Sequence, residues 1–267
     1  MTFCKVYIKD ASSMAEVESN SIQLAITSLP DAHIIPPPEL RQLQGDQSRH
    51  FLLNRHFLVK SLYPYLSSMI NEIYRVLKDD GLFFLNVGSP VRWYVLSGYQ
   101  VLHPYILAEY IMFESKLQLR RDFVANVDPS TLTAVAEEAE SKIVSSNEHL
   151  LMFSKGDRWK MNVDGEAVLT TSIYFKREMH PVVKKWVEKG VMPSMPFAKQ
   201  ITNFVLEIFT DEGDTVLDPC AGIGTLAEDA LKKGRNAVLY EINPAYVPLI
   251  MENLPDAEII KPTKADA

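Results

Sequence analysis

Short apolar runs alternate along the chain with longer stretches in which apolar side chains recur at helical spacing. The runs at Lys5 to Ile8, Leu24 to Thr27 and Leu82 to Val87 predict β-strands. The stretch from Phe57 to Leu77 predicts a helix, and the Asp79-Asp80-Gly81 sequence after it predicts a turn. Strands that alternate with helices in this way are typical of a parallel sheet covered by helices on both faces.

The remaining segments extend this pattern. A short helix is predicted near Met14 to Val17, an apolar helix around Tyr105 to Ser115, and a helix–strand–helix–strand–helix series from Lys199 onwards. Two stretches break the alternation: a proline-rich polar loop within 32–56, and short strands with polar turns across 126–180. We therefore predict one α/β domain over residues 1–267 that carries these two stretches as inserts.

Near the C-terminus, a glycine turn separates a predicted strand from a helix. The run from Val216 to Thr225 reads VLDPCAGIGT, and Glu241 follows at the end of the next predicted strand. Glycines let the backbone approach a ligand closely, and a carboxylate at this place can accept hydrogen bonds from ribose hydroxyls. The turn is not a dinucleotide fingerprint, because a third glycine is missing and because Asp218 and Glu241 would repel a phosphate.

A cationic nucleoside fits such an acidic cleft. S-adenosylmethionine carries a sulfonium, an ammonium and a ribose but no phosphate, so we predict it as the cofactor. The alternative is an ordinary strand–turn–helix unit whose glycines serve only packing.

The catalytic candidates lie at the other end of the chain, where the strand Leu24 to Thr27 runs into Ser28-Leu29-Pro30-Asp31. This turn resembles that of the amino-methyltransferases that methylate the exocyclic nitrogen of cytosine or adenine in nucleic acids. In that family the strand ends in Thr-Ser-Pro-Pro-Tyr or in Asp/Asn-Pro-Pro-Tyr. The class with the catalytic turn first and the cofactor glycines last is the circularly permuted beta class, and this chain has that order.

Four further segments resemble family motifs in the same order. They are Ile8 to Ser12, which contains Asp10; Glu72 to Gly88; Asn147 to Lys155; and Pro193 to Gln200, which contains Phe197. The resemblance implies a Rossmann-like methyltransferase fold with a mostly parallel, seven-stranded sheet and a circularly permuted motif order. It also implies a set of cofactor-binding residues, namely Asp10, Thr27, Phe197, Asp218, Pro219, Ala221, Gly222, Gly224, Thr225, Glu241 and Ile242.

The resemblance further implies how the turn works. An exocyclic base amine is a poor nucleophile, and acceptors aimed at its protons both activate it and hold it in line with the methyl group. The Ser28 hydroxyl and the Leu29 carbonyl are the implied acceptors, with Pro30 and Asp31 completing the catalytic turn. A serine at this place favours cytosine N4 over adenine N6.

The turn departs from the family at two positions. Leu29 replaces the first proline, which loosens the backbone, and Asp31 replaces the aromatic residue on which the extruded base usually stacks. Asp31 could accept a proton, bind the substrate amine, or belong to a diverged copy. A catalytically silent module that binds S-adenosylmethionine is therefore an alternative.

The net charge of the chain affects whether it can bind nucleic acid. The net charge of −7 is unusual for a protein that gains affinity by neutralising phosphates. A local basic rim is still possible in the inserts and loops, from Arg41, Arg49, His50, Arg55, His56, Arg120, Arg121, Lys155, Arg158, Lys160, Lys176 and Arg177. We predict methylation of cytosine N4 in DNA, with structured, for example ribosomal, RNA as the alternative substrate. A glutamine-N5 protein methyltransferase is a third possibility, but its usual motif order is the reverse of this one.

Composition indicates the cellular compartment in which the protein is expected. Only two cysteines are present, Cys4 and Cys220, both in apolar contexts, which indicates a reducing compartment without disulfides. No stretch approaches the ~18 apolar residues that span a bilayer, and no signal-peptide core is seen, so we expect a cytoplasmic protein that does not contact membranes. No cluster with metal-ligand spacing appears, so no metal is predicted. The oligomeric state is left open.

Overall fold

The computed structural model describes residues 2–29, 59–60, 63–87, 103–128, 147–163, 171–175, 179–189 and 198–261. These residues form one sheet of nine strands in the order β6-β4-β5-β3-β2-β7-β8-β1-β9. The strands are β1 Cys4–Tyr7, β2 Ile22–Ser28, β3 Leu77–Val87, β4 Gln118–Val127, β5 Asn147–Ser154, β6 Ser172–Phe175, β7 Thr215–Asp218, β8 Asn236–Tyr240 and β9 Glu258–Ile260.

All of these strands except β5 run in the same direction. β5 pairs antiparallel with both β3 and β4, whereas every other pairing in the sheet is parallel. The predicted Rossmann-like, mostly parallel sheet is thus confirmed. The expected number of seven strands was too low, because the short strands β6 and β9 extend the two edges of the sheet.

Helices cover both faces of the sheet. They are α1 Leu66–Val76, α2 His103–Glu114, α3 Pro181–Glu188, α4 Lys199–Phe209, α5 Thr225–Lys232 and α6 Val247–Asn253. The buried side chains of α1 and α2 pack on one face, and those of α4, α5 and α6 pack on the other. None of the helices that the structure describes is both long enough and apolar enough to cross a membrane.

Strand β2 lies near the middle of the sheet and is buried on both faces. Ala25 belongs to the core under α1 and α2, while Leu24 and Ile26 belong to the core under α4 to α6, and all three are fully buried. A strand buried on both faces reads as a continuous apolar run, which is why this strand could be recognised in the sequence. Its two neighbours, β3 and β7, hold its carboxyl end at the centre of one sheet edge.

Two local predictions were wrong. Residues 14–17 form turns, not a helix. The Met14 carbonyl accepts a turn bond from the Val17 N–H at 2.9 Å. The Met14 backbone is also held by side chains of α1, because its N–H donates to Glu72 Oε2 at 2.6 Å and its carbonyl accepts from Arg75 Nη2 at 2.8 Å. The turn expected at 79–81 lies inside β3, since the pairing with β2 jumps from Ile22↔Leu77 to Leu24↔Leu82 and makes the intervening residues a bulge.

The predicted inserts are only partly described. The loop 32–56 lies outside the described residues. Within 126–180, the structure describes β5 as an interior strand between β3 and β4, and β6 at the edge of the sheet.

Candidate functional site

Four side chains of interest lie at one edge of the sheet. Ser28 ends β2, Asp218 ends β7, and Glu241 and Asp10 follow β8 and β1. Because β2, β7, β8 and β1 are consecutive and parallel, their carboxyl ends share this edge. In open α/β sheets, ligands bind in the crevice outside the carboxyl ends of the strands.

Asp218 is the most deeply buried acid at this edge. Its Oδ1 accepts two hydrogen bonds, from Thr27 Oγ1 at 3.0 Å and from the Cys220 N–H at 3.0 Å. Burial raises the pKa of Asp218 to about 7, the charge of Glu241 adds to the shift, and the two hydrogen bonds oppose it. Since Thr27 is also fully buried, its side chain acts on the acid and does not face the open cleft.

Glu241 is held by backbone groups on both of its oxygens. Gly222 N–H donates to Oε2 at 2.8 Å and Asn243 N–H donates to Oε1 at 2.7 Å. Burial raises the pKa of this carboxyl, and the two hydrogen bonds counteract the shift. A carboxylate offers about four acceptor positions, so further hydrogen bonds from a diol remain possible at both oxygens.

The two glycines of the turn have different surroundings. Both have positive φ, +55° at Gly222 and +80° at Gly224. A Cβ at Gly222 would meet nothing within 4 Å, whereas a Cβ at Gly224 would lie 2.7 Å from Leu254 Cδ1. Gly222 therefore borders open space next to Glu241, while Gly224 is required for packing of the turn against Leu254.

Cys220 lies beside Asp218, to which its backbone N–H donates at 3.0 Å. Its pKa is raised by burial and then by the negative charges of Asp218, Glu241 and Asp10, while a hydrogen bond with Thr27 acts in the other direction. All three acids therefore lie close enough to act on one thiol. A thiol in such surroundings stays protonated and is no nucleophile. Among the described residues, no group of acids, histidines and cysteines has the arrangement of a metal site.

Tyr65 was not singled out as a site residue from the sequence. It precedes α1, and burial raises its pKa, with Cys220 and Asp10 adding to the shift. Tyr65 directly precedes α1, so the position of its side chain depends on how α1 packs against the sheet. In the sequence it appeared only as one apolar position of the helical pattern, so no local signal identified it.

The other expected cofactor residues differ in exposure. Pro219, Ala221 and Thr225 are buried in the turn and at the start of α5. Ile242, directly after Glu241, is 65% exposed and offers an apolar surface at the rim of the crevice. Phe197 lies outside the described residues.

The catalytic turn is described only in its first half. Ser28 and Leu29 are half-buried, and Leu29 packs against the core under α1 and α2. Pro30 and Asp31 lie outside the described residues.

Three candidates for a basic rim lie at the opposite edge of the sheet. Arg120 donates to Ser154 Oγ at 2.8 Å, Lys155 donates to the Leu77 carbonyl at 2.7 Å, and Lys160 pairs with Asp214 at 2.9 Å. These partners lie where β5 ends and where β3 and β7 begin, which is the amino edge of the parallel strands. These three candidates therefore do not lie at the edge that carries Ser28 and Glu241.

The residues at the carboxyl edge fit S-adenosylmethionine. Open space beside Gly222 adjoins a carboxylate with spare acceptor positions, and the neighbouring acids would attract the sulfonium and ammonium charges. An exposed apolar side chain at Ile242 offers a surface for a flat base.

Comparisons with known proteins agree with this interpretation. A family model described as DNA methylase, of the N6/N4 methyltransferase type, matches residues 52–252. The type II methyltransferase M.MjaI of Methanocaldococcus jannaschii is 24% identical, covering 94% of this chain and 90% of the relative. M.MwoI of Methanothermobacter wolfeii is 26% identical, covering 93% of this chain but only 34% of the relative.

Solved structures share the fold. The PvuII DNA methyltransferase (cytosine-N4-specific) has a TM-score of 0.70 at 17% identity, covering 95% of this chain and 87% of its own. TTHA0409 of Thermus thermophilus, solved in complex with S-adenosyl-L-methionine, has a TM-score of 0.65 at 16% identity, covering 98% of this chain and 99% of its own. With the family model spanning most of the sequence, the chain belongs to the DNA methylase family, the S-adenosylmethionine-dependent methyltransferases that act on exocyclic N4 or N6 amino groups of DNA.

Proposed function

We propose that this protein methylates the exocyclic N4 of cytosine in DNA, with the Ser28 hydroxyl as the acceptor that orients the amine. The observation that carries the proposal is the hydrogen bond between Thr27 and Asp218, which joins the residue before Ser28 to the acidic cleft. Neighbouring strands are ~4.8 Å apart, so an amine at Ser28 and a ligand beside Asp218 are within reach of each other.

The acidic residues would hold the cofactor. Glu241 would accept hydrogen bonds from the ribose hydroxyls, Asp10 would approach the adenine, and Ile242 would pack against the base. Asp218 would act through its negative charge, kept in place by Thr27 and the Cys220 N–H. S-adenosylmethionine, when bound, supplies an electrophilic methyl group and leaves as S-adenosylhomocysteine when the amine nitrogen takes the methyl group and the sulfur keeps the bonding electron pair.

The residues of the turn would prepare the amine. An amino nitrogen conjugated with the ring becomes more nucleophilic when its protons are held by acceptors outside the ring plane. Ser28 Oγ and the Leu29 carbonyl supply two such acceptors at the end of β2. The proton lost from the methylated nitrogen would pass to solvent.

The choice of cytosine N4 rests on the serine. A neutral hydroxyl at the first position of the turn is typical of the cytosine enzymes that this sequence resembles, whereas the adenine enzymes carry Asp or Asn there. The structural neighbour from the PvuII system is named as cytosine-N4-specific, which supports the same choice.

The experiment is a transfer assay with a tritiated methyl donor. Separate reactions contain duplex DNA, single-stranded DNA and unmodified ribosomal RNA, and the products are digested to nucleosides and separated. We expect label in N4-methylcytosine from DNA. Label only in N6-methyladenine would overturn the choice of base, label only in RNA would overturn the choice of polymer, and cofactor binding without transfer to any pool would identify a silent module.

Two variants connect the assay to the mechanism. Ser28→Ala should lower kcat by about 100-fold or more while the calorimetric Kd for S-adenosylmethionine changes little. Ser21→Ala is the matched control, because Ser21 directly precedes the same strand at its amino end and its hydroxyl donates to the Glu18 carbonyl. Full activity of Ser28→Ala would refute the assigned role of the hydroxyl.

A further inference from the structure

Beside Ser28, on the neighbouring strand, lies an asparagine that the proposed mechanism has not used. Ser28 and Asn86 are register partners on the parallel strands β2 and β3. Partners two residues earlier, Ile26 and Phe84, belong to the same core cluster, so this row of side chains points to one face of the sheet. Side chains alternate along a strand, and Ser28 and Asn86 therefore point to that face as well.

Asn86 is held by a buried acid on the next strand. Its Nδ2 donates to Glu148 Oε2 at 3.0 Å, and the two residues are only 9% and 4% exposed. In this hydrogen bond the amide directs its NH2 group, which is a donor, to Glu148. The amide oxygen is then directed away from Glu148.

That oxygen is buried. Among the residues that the structure describes, Asn86 Oδ1 has no hydrogen-bond partner. Buried carbonyl oxygens are rarely left without a donor, because desolvation is costly when no hydrogen bond replaces water. An orphaned acceptor beside a catalytic edge calls for a donor that arrives or reorients there. The hydroxyl of its register partner Ser28, on the neighbouring strand and the same face of the sheet, is such a group.

We infer that Asn86 is a positioning residue: when the substrate base is bound, its Oδ1 accepts a hydrogen bond from the Ser28 hydroxyl, in an orientation set by Glu148. This inference rests on the proposed role of Ser28. With its own proton directed to Asn86, the hydroxyl can offer only lone pairs to the base amine. A hydroxyl that donates is also a stronger acceptor, because hydrogen bonds in a chain polarise one another.

The inference also accounts for the altered turn. Leu29 stands where the related family has a proline, so that ring does not make the turn rigid. A hydrogen bond from β3 would orient Ser28 from the side of the sheet, where strand pairing already fixes the backbone up to Ser28↔Asn86. The serine would then be positioned by the sheet even though the turn is looser.

Replacing Asn86 and Glu148 together by apolar residues tests the positioning role of Asn86. Replacing both members of a buried polar pair by apolar groups of similar shape changes stability little, whereas removing one member leaves the other without its partner. We therefore expect the Asn86→Leu, Glu148→Met double variant to fold, to bind S-adenosylmethionine with an unchanged Kd and to keep its KM for DNA. Its kcat should fall about 10- to 100-fold, the scale of a misplaced reacting group.

Combining the double replacement with Ser28→Ala distinguishes a positioning role of Asn86 from a general effect on activity. In a Ser28→Ala background, the same double replacement should cause no further loss of kcat, because Asn86 would act only through the missing hydroxyl. The control is Gln23→Leu, since Gln23 is a buried amide of β2 at the opposite edge, bonded to Asp80. It should leave kcat unchanged in both backgrounds.

A swap of the two polar groups should restore activity. In the Asn86→Asp, Glu148→Gln double variant, the glutamine amide can donate to the new carboxylate, whose other oxygen can accept from Ser28. We expect its kcat to lie close to that of the unaltered protein. If the Asn86→Leu, Glu148→Met variant does not fold, the Asn86→Asp, Glu148→Gln variant tests the inference in its place. A folded variant of this second kind with a normal Kd but a lost kcat overturns the inference.

The outcomes distinguish the two proposals. An unchanged kcat in the apolar pair, or a loss that adds to that of Ser28→Ala, overturns the role of Asn86 and leaves the proposed function intact. Full activity of Ser28→Ala by itself overturns the proposed function, and the role of Asn86 with it.

Discussion

Thr27 Oγ1 donates a 3.0 Å hydrogen bond to Asp218 Oδ1 between the neighbouring strands β2 and β7. The two residues are 191 positions apart in the chain, and both are buried. The bond joins the strand that carries the catalytic turn to the strand that carries the cofactor turn. Any shift of one strand along the other would break it, so it sets the spacing between the two halves of the site.

Removing this bond should weaken cofactor binding. Thr27→Val keeps the shape of the side chain but takes one of two hydrogen bonds from a buried acid. We expect the Kd for S-adenosylmethionine to rise by about tenfold and the free energy of unfolding to fall by about 1 to 3 kcal/mol. Calorimetry and thermal unfolding measure both. Thr215→Val, at the amino end of β7, is the control and should leave the Kd unchanged.

The stability of the protein without cofactor should depend on the protonation of Asp218. The folded pKa of this acid is about 7, whereas an unfolded aspartate titrates near about 3.9. Between these values the folded state binds more protons than the unfolded state, so stability must fall as the pH rises from about 4 to about 7. Above that window the contribution is constant.

Asp218→Asn checks this dependence. The variant cannot titrate at this position, so its Tm should fall less than that of the unaltered protein over the same pH range. Cofactor affinity of the unaltered protein should rise over this window, since ionised Asp218 attracts a cationic ligand. Identical pH dependence of Tm in the two proteins would contradict the raised pKa.

The two glycines of the cofactor turn should respond differently to alanine. Gly224→Ala places a Cβ against Leu254 at a positive φ and should cost about 1 to 3 kcal/mol of stability. Gly222→Ala meets open space and should cost about 1 to 2 kcal/mol through its φ alone. Its methyl group, however, would extend into the space beside Glu241. We therefore expect the Kd for S-adenosylmethionine to rise more in Gly222→Ala than in Gly224→Ala, as measured by calorimetry on folded protein.

Glu241→Ala should affect cofactor binding before turnover. The change removes the acceptor for the Gly222 and Asn243 N–H groups together with the proposed acceptor for the ribose. We expect the Kd for S-adenosylmethionine to rise about 10- to 100-fold, with kcat at saturating cofactor nearly kept. Glu258→Ala, at the exposed edge strand β9, is the control. A large loss of kcat with an unchanged Kd would contradict the assignment.

Local patterns predicted much of the fold. The apolar run of β2, the helical spacing of α1 and the turn at Gly222 and Gly224 were each recognisable, because each depends on residues close together in the chain. Errors arose where distant contacts override a local preference. Residues 14–17 have a weak helical pattern, but Glu72 and Arg75 of α1 bond the Met14 backbone and hold it as a turn.

By itself, the sequence determined the alternation of strands and helices, the acidic glycine turn and the hydroxyl-bearing turn, because periodicity and turn chemistry are local properties. Only the tertiary structure decided which residues meet. It set Thr27 against Asp218 and Asn86 beside Ser28, and it placed Arg120, Lys155 and Lys160 at the opposite edge. These relationships follow from strand order and register, which depend on contacts between residues far apart in the chain and leave no periodic trace in it.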